Sequence, residues 1–173
     1  STFGNDDAIT ITFRDENGIF NPKALGVVER ITEALWQTHY IARVDSITNF
    51  QYVHSDAEYP DEVVVEDFIE DAKHLDDASL EAKKNIALHE DLLAGRLISE
   101  DAKTTMIVGR MTPKAGDDPE VSLRLKEAVE AIVAKEASQG YHFYLNGGPI
   151  INMAFISIAQ HDMGLFTPLA LLI

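Results

Sequence analysis

The sequence predicts an α+β domain of the ferredoxin-like, split βαβ kind. Three observations carry that expectation. Two stretches run in the order strand, capped helix, strand. Both helices open on an Asn- or Asp-Pro start signal. An acidic insert, about residues 51–103, separates the two halves. A helix joining parallel strands needs a right-handed crossover, and two such halves side by side make a four-stranded antiparallel sheet with both helices on one face. The similarity of the halves is architectural, with no residue-level repeat.

Ala8 to Phe13 (AITITF) alternates apolar and polar residues and is rich in β-branched side chains, the pattern of a half-buried strand. Asp15-Glu16-Asn17-Gly18 ends it in a turn. Asn21 is a good N-cap and Pro22 a good first helical residue, while Phe20 and Leu25 are spaced for a hydrophobic staple. Leu25, Val28, Ile31 and Leu35 repeat at helical spacing, so this helix is expected to bury one face and to run to about His39. Ala42 to Phe50 reads as a second strand. Within the insert, Val63-Val64-Val65 suggests an added edge strand, Asp76 to Ser79 a helix start running to about Leu92, and Leu97-Ile98 with the Thr104 strand a hairpin. Thr104 to Arg110 is the third core strand. Asp118-Pro119-Glu120 starts the second long helix, with Val121, Leu125, Ala128 and Ile132 as its expected buried face. Gln139-Gly140 stops it, and Tyr141 to Leu145 is the fourth strand.

The C-terminal third is the most apolar part. Asn146-Gly147-Gly148-Pro149 breaks the strand, and a helix rich in Ile, Met, Ala and Phe should follow. After His161-Asp162 the polarity collapses into Leu165-Phe166-Thr167-Pro168-Leu169-Ala170-Leu171-Leu172-Ile173. A membrane helix needs ~20 apolar residues. Residues 164–173 therefore read as the first turns of a second transmembrane helix, and residues 1–163 as the domain before it. The alternative is an ordinary C-terminal core helix. On the membrane reading, residues 150–173 are a candidate surface for self-association. A truncation ending near Asp162 is expected to be more soluble and more monomeric if the membrane reading holds, and to unfold if the run is core.

Composition narrows the function classes. The 173 residues suffice for one sizeable core, and the net charge of −15 with a pI near 4.6 disfavours nucleic acid and anionic membrane surfaces, both of which need a basic footprint. It also fits poorly with a cytoplasmic loop beside a membrane. No cysteine is present, so no disulfide framework and no thiolate metal site is expected. No hydrolase elbow, metalloprotease helix, P-loop or dinucleotide fingerprint occurs. Asp15-Glu16-Asn17-Gly18 lacks the alternating ligands of a calcium loop and reads as a solvated turn. His74 and His89 read as surface polar residues. Ser157, His161 and Asp162 are close in sequence but not in triad geometry. The expectation is thus a non-enzyme without cofactor or metal. Trp36 and Phe50 are expected in the core, with a second role at a cleft edge, where an aromatic touches an apolar substrate. Together with Phe155, Leu165 and Phe166 they form the candidate substrate-path or interface set.

Several stretches, taken in order, resemble one family. Asp7-Ala8-Ile9, Gly18-Ile19-Phe20-Asn21-Pro22, Ala42-Arg43-Val44-Asp45-Ser46 with Thr48-Asn49-Phe50, Leu97-Ile98-Ser99-Glu100-Asp101, and Gly147-Gly148-Pro149 followed by Asp162 and Pro168-Leu169 look like the first extracytoplasmic loop of exporters of the resistance-nodulation-division superfamily. The similarity is nearest to the branch of predicted exporters related to the mycobacterial large membrane proteins and to Patched-like proteins. The resemblance implies a porter-type domain between membrane helices one and two of a proton-driven exporter in the bacterial inner membrane, facing the periplasm. Its partners would be the membrane helices, the second periplasmic loop domain and a lipid, hydrophobic or amphiphilic substrate. The proton-carrying acids of that family lie in later membrane helices, so no transport residue carries over. A stand-alone ferredoxin-like module that binds a small regulatory molecule, with a ligand site at a dimer interface, is the competing reading from the residues alone.

Overall fold

A computed structural model describes residues 8–56, 59, 61–112, 118–148 and 150–151. Its elements are β1 (Ala8–Arg14), α1 (Pro22–Trp36), β2 (Ile41–Asp45), β3 (Gln51–Ser55), β4 (Val63–Asp67), α2 (Asp77–His89), β5 (Thr104–Met111), α3 (Pro119–Ala137) and β6 (Phe143–Gly147), with a short 3₁₀ turn at Ala72–His74. The main sheet has the order β2-β5-β1-β6, and every pairing in it is antiparallel. This is the ferredoxin-like topology, with β1 and β5 central and β2 and β6 at the edges. Ile9, Val44, Ile107 and Phe143 share the one sheet, as the two βαβ halves require.

Both expected helix starts form. Asn21 accepts hydrogen bonds from the backbone N–H of Lys23 and Ala24 with Pro22 inside the first turn, and Asp118 accepts from Glu120 and Val121 ahead of Pro119. Gly18 sits at φ +91°, which only glycine adopts cheaply, and closes the turn after β1 with Asp15. The helices lie on one face of the sheet, over Ile9, Ile11, Phe13 and Ile107, all fully buried. Leu25, Val28, Ile31 and Leu35 are buried from α1 as the 3.6-residue spacing predicts. At Gly109 an added Cβ would stand 2.9 Å from Leu35 Cδ2, so a glycine in β5 lets α1 settle closely on the sheet. On α3 the buried face is rotated from the expected one. Ser122, Leu125, Val129, Val133 and Glu136 are buried, while Val121, Ala128 and Ile132 flank them. Leu125, Val129 and Val133 form an apolar stripe of their own at helical spacing, and at its end Glu136 meets Arg30 of α1 through two bonds, Nε–Oε1 at 2.9 Å and Nη2–Oε2 at 2.6 Å.

Other expectations need correction. α1 stops at Trp36 rather than His39, and α2 at His89 rather than Leu92. The stretch from Ala42 to Phe50 is not one strand. β2 ends at Asp45 because Asn49 folds back: its Oδ1 accepts from the Ser46 N–H at 2.8 Å and its Nδ2 donates to the Val44 carbonyl at 2.8 Å. Such local side-chain bonds offer the backbone an alternative to the sheet ladder. Beyond them β3 pairs with β4 in a separate two-stranded sheet, so the Val63 stretch extends no edge of the main sheet. The Leu97–Thr104 hairpin does form, through an Ile98–Thr105 bridge and a Met106 N–H bond to the Leu97 carbonyl at 3.0 Å. β6 continues through the predicted break to Gly147, and Gly148, Ile150 and Ile151 are helical.

The insert is fastened to the core rather than tethered beside it. Phe68, Ile69, Ala72, Leu93 and Ile98 are buried with the sheet residues in one continuous cluster. The Ala72 N–H donates to Glu29 on α1 at 2.8 Å, and Lys83 holds the Phe68 carbonyl at 2.6 Å with its ammonium 5.1 Å from the ring centre. The hairpin itself projects: Val53, Val63 and Val65 on one of its faces are 58%, 70% and 57% exposed.

Candidate functional site

Two clefts flank the edge strand β2, and β2 lines both. The sequence builds them from the same device. Alternation along Arg43-Val44-Asp45 buries Val44 and leaves Arg43 and Asp45 outward, and the Asn49 turn then carries the chain off the sheet edge.

The larger cleft, about 730 Å³, lies between α1, β2 and the base of the β3–β4 hairpin. Glu29, Thr32, Glu33 and Trp36 present themselves along one side of α1, at i, i+3, i+4 and i+7, facing Arg43, Asn49 and Asp67. Its charge is acidic, with Glu29, Glu33, Asp45 and Asp67 against Arg43. The Thr32 hydroxyl is buried and has no hydrogen-bond partner among the described residues.

The smaller cleft, about 490 Å³, lies on the uncovered face of the sheet, where β2 ends and the 92–98 segment takes over the edge of β5. Its floor is Met106 and Val108. Phe50, Leu92 and Leu97 form the sides. Arg43, Arg96 and Arg110 line it, against one carboxylate. That carboxylate is shared: Asp45 accepts from Arg43 Nε at 2.6 Å and from Arg110 Nε at 2.9 Å. Arg96 has no ion pair or side-chain hydrogen bond among the described residues.

At the far corner of the same face Arg14 bridges Glu16 and Asp101. Hydrogen bonds from Ser99, the Lys103 backbone and Arg14 pull the Asp101 carboxyl down to about 2, and the same cluster lowers Glu16. Between the helices, the Arg30 guanidinium holds Glu136 below the usual carboxylate range. These are structural ion pairs, away from both clefts. Among the described residues no three His, Asp or Glu side chains gather to hold a metal, and no helix is long and apolar enough to cross a membrane.

The candidate residues fare differently. Trp36 is not core: it is 51% exposed and lines the larger cleft, because it lies one residue round the helix from buried Leu35, on the side of Glu29 and Glu33. Phe50 is partly buried, edge-on to Phe68 with centroids 6.4 Å apart, and lines the smaller cleft. The two aromatics therefore mark opposite sides of β2 and do not meet. Phe155, Leu165 and Phe166 lie outside the described residues, as do Ser157, His161, Asp162 and nearly all of the 150–173 association surface. The sequence reading missed the three arginines. Strand alternation links Arg43 with Arg110, since the register pairs them directly, but Arg96 joins them only through the hairpin fold.

Compared with models of known protein families and with curated proteins, the sequence matches none of them.

Proposed function

We propose that this chain is the first extracytoplasmic, porter-type domain of a proton-driven exporter of the resistance-nodulation-division superfamily, on the periplasmic side of a bacterial inner membrane. In this reading it forms part of the path of a lipid, hydrophobic or amphiphilic substrate and moves against its partner domain in the second loop. The observation that carries the proposal is the sheet face opposite α1 and α3, which no helix among the described residues covers. It bears a cleft of mixed apolar and charged lining, and a face of that kind suits a domain that works against a neighbour. The order of family-like motifs along the chain and the apolar C-terminal run add to it. No residue is assigned a catalytic, cofactor or metal role.

The test is made in the full-length protein. Removing this domain should abolish export while the membrane helices still insert. Export that survives the deletion removes the assigned role. Apolar segments of spanning length encoded on both sides of Ser1–Ile173 are expected as well.

A second reading is a small-molecule-binding regulatory module. The observation favouring it is the larger cleft, about 730 Å³, with half-exposed Trp36 at its rim. It predicts a ligand-dependent dimer and flanks without membrane segments.

A further inference from the structure

We propose that the smaller cleft is a binding site for an anionic amphiphile. Its carboxylate or phosphate head would lie among Arg43, Arg96 and Arg110, and its alkyl chain along Leu92, Leu97, Met106 and Val108. As a cargo site this rests on the export reading above; as a binding site it stands on the cleft alone.

Charge makes the first part of the case. The whole chain holds six arginines and a net charge of −15, yet three of the six line this one cleft. Against them stands a single carboxylate, Asp45, so the lining is cationic in an acidic protein. Asp67, bonded to Gln51, and Asp91, beside Leu92, border the cleft without lining it, and carboxylates farther off than ~8 Å are screened at physiological salt. The neighbouring cleft supplies the contrast. It has comparable walls but four carboxylates to one arginine, and it would repel the same ligand.

Unused hydrogen-bonding capacity makes the second part. Asp45 engages Arg43 and Arg110 through Nε only. Their terminal nitrogens, and the whole Arg96 guanidinium, have no partner among the described residues. Guanidinium groups bind carboxylate and phosphate oxygens in bidentate fashion. Asp45 then acts as a positioning residue, holding two of the three arginines over the cleft.

The apolar floor makes the third part and sets the ligand class. A free inorganic anion would gain nothing from Met106, Val108 and Leu97, and Leu92 is 55% exposed at the rim. An alkyl chain attached to the anion removes that surface from water. A volume of about 490 Å³ falls within the range of small-molecule sites.

The experiment is calorimetric titration of the 173-residue chain, at physiological salt and below each ligand's micelle threshold. Decyl phosphate, decanoate, decyltrimethylammonium and inorganic phosphate are compared. Decyl phosphate and decanoate should bind, the cationic ligand should not, and inorganic phosphate should bind at least tenfold more weakly. Arg96→Gln should weaken both anionic ligands about 10- to 100-fold, the loss expected for a hydrogen bond to a charged group. Arg96 is exposed and has no side-chain partner among the described residues, so this variant should keep the parent's circular dichroism and melting temperature. Leu92→Asn should weaken decyl phosphate while leaving inorganic phosphate unchanged. Equal binding of the cationic ligand would reduce the cleft to an apolar surface. Phosphate binding as tightly as decyl phosphate would reduce it to an ion site. An unaltered Arg96→Gln, or a flat titration from a protein already dimerised through this face, overturns the proposal outright. The two proposals fail separately: export surviving domain deletion sinks the exporter reading, whereas loss of amphiphile binding sinks only the cleft.

Discussion

The two faces of one sheet follow opposite rules. On the covered face Ile9, Ile11 and Phe13 of β1 are completely buried under α1 and α3. One residue away along the same strand, Thr10 and Thr12 point to the opposite face and are only partly buried. A strand sends successive side chains to opposite sides, so the two environments are about a sheet's thickness apart and share every backbone hydrogen bond. The covered face is specified by volume, and the open one by charge and by what comes to rest on it. Stability should therefore be concentrated on one face and binding on the other.

The largest effect that would break this comparison is expected in β1. Phe13→Ala removes a fully buried ring that packs edge-on against Tyr141 at 5.5 Å and tilted against Phe143 at 5.4 Å. It should cost about 3–5 kcal/mol in denaturant unfolding. Thr12→Ala on the same strand should stay within about 0.5 kcal/mol. Similar losses at both sites would mean that the open face is as structural as the covered one.

Next comes Gly109→Val. The new side chain points at Leu35 and Ile41, with Cβ itself 2.9 Å and 3.3 Å from their terminal carbons. Overpacking of this kind costs about 1–3 kcal/mol. Val108→Ala, one residue away and facing the smaller cleft, should change stability less and amphiphile binding more.

A third test concerns the polar tie over the covered face. Glu136 is 7% exposed and joins α3 to Arg30, whose side chain is 42% exposed. The charge-assisted bonds, discounted for that exposure, should be worth about 1–2 kcal/mol at neutral pH, the loss to be read from Glu136→Gln. The Arg30 bond lowers the folded-state pKa of Glu136 from its ordinary 4.5. The stabilisation is therefore complete above the ordinary value and is lost as pH falls through the lowered one. The gap between the parent and Glu136→Gln should narrow under acid. The variant should keep an acid-dependent limb of its own, because Asp101 titrates at about 2 in the folded protein.

Smallest is Trp36→Ala. A half-exposed side chain at a helix end should cost about 0.5 kcal/mol or less. Trp36 is the chain's single tryptophan, so its emission should already resemble that of a hydrated indole before any ligand is added.

How much of this was legible in the sequence follows from the same contrast. Periodic signals were readable wherever one face packs on a core: AITITF, the α1 stripe from Leu25 to Leu35 and both Pro-containing helix starts lie where the pattern puts them. The sheet order followed from the two βαβ units and the handedness of their crossovers. What periodicity cannot carry is the balance between a strand and a local side-chain bond. Asn49 won that balance and split the Ala42–Phe50 stretch. Nor does it choose between two overlapping stripes: on α3 Val121-Leu125-Ala128-Ile132 and Leu125-Val129-Val133 both have helical spacing, and the second is the buried one. Trp36 stands one residue past Leu35, about 100° off the buried stripe, so the helical spacing itself puts it on the cleft side. The open-face cleft was the least legible part, since Arg96 reaches Arg43 and Arg110 only after the insert has folded.

The sheet order has a consequence in time. β1 is synthesised first and lies in the centre, yet neither of its partners is nearby in the chain: Ile11 pairs with Ile107 on one side and with Leu145 on the other. At a translation rate of ~5–20 residues per second, β1 waits several seconds for β5 to appear and longer for β6. During that interval an uncharged, β-branched hexapeptide, Ala8 to Phe13, offers both of its edges to any other nascent chain. Arg14 closes the segment with a charge, the kind of residue that discourages strand-to-strand stacking. Yield on overexpression should thus depend on how quickly the last strand arrives, a kinetic liability that the finished fold, with β1 paired on both sides, no longer displays.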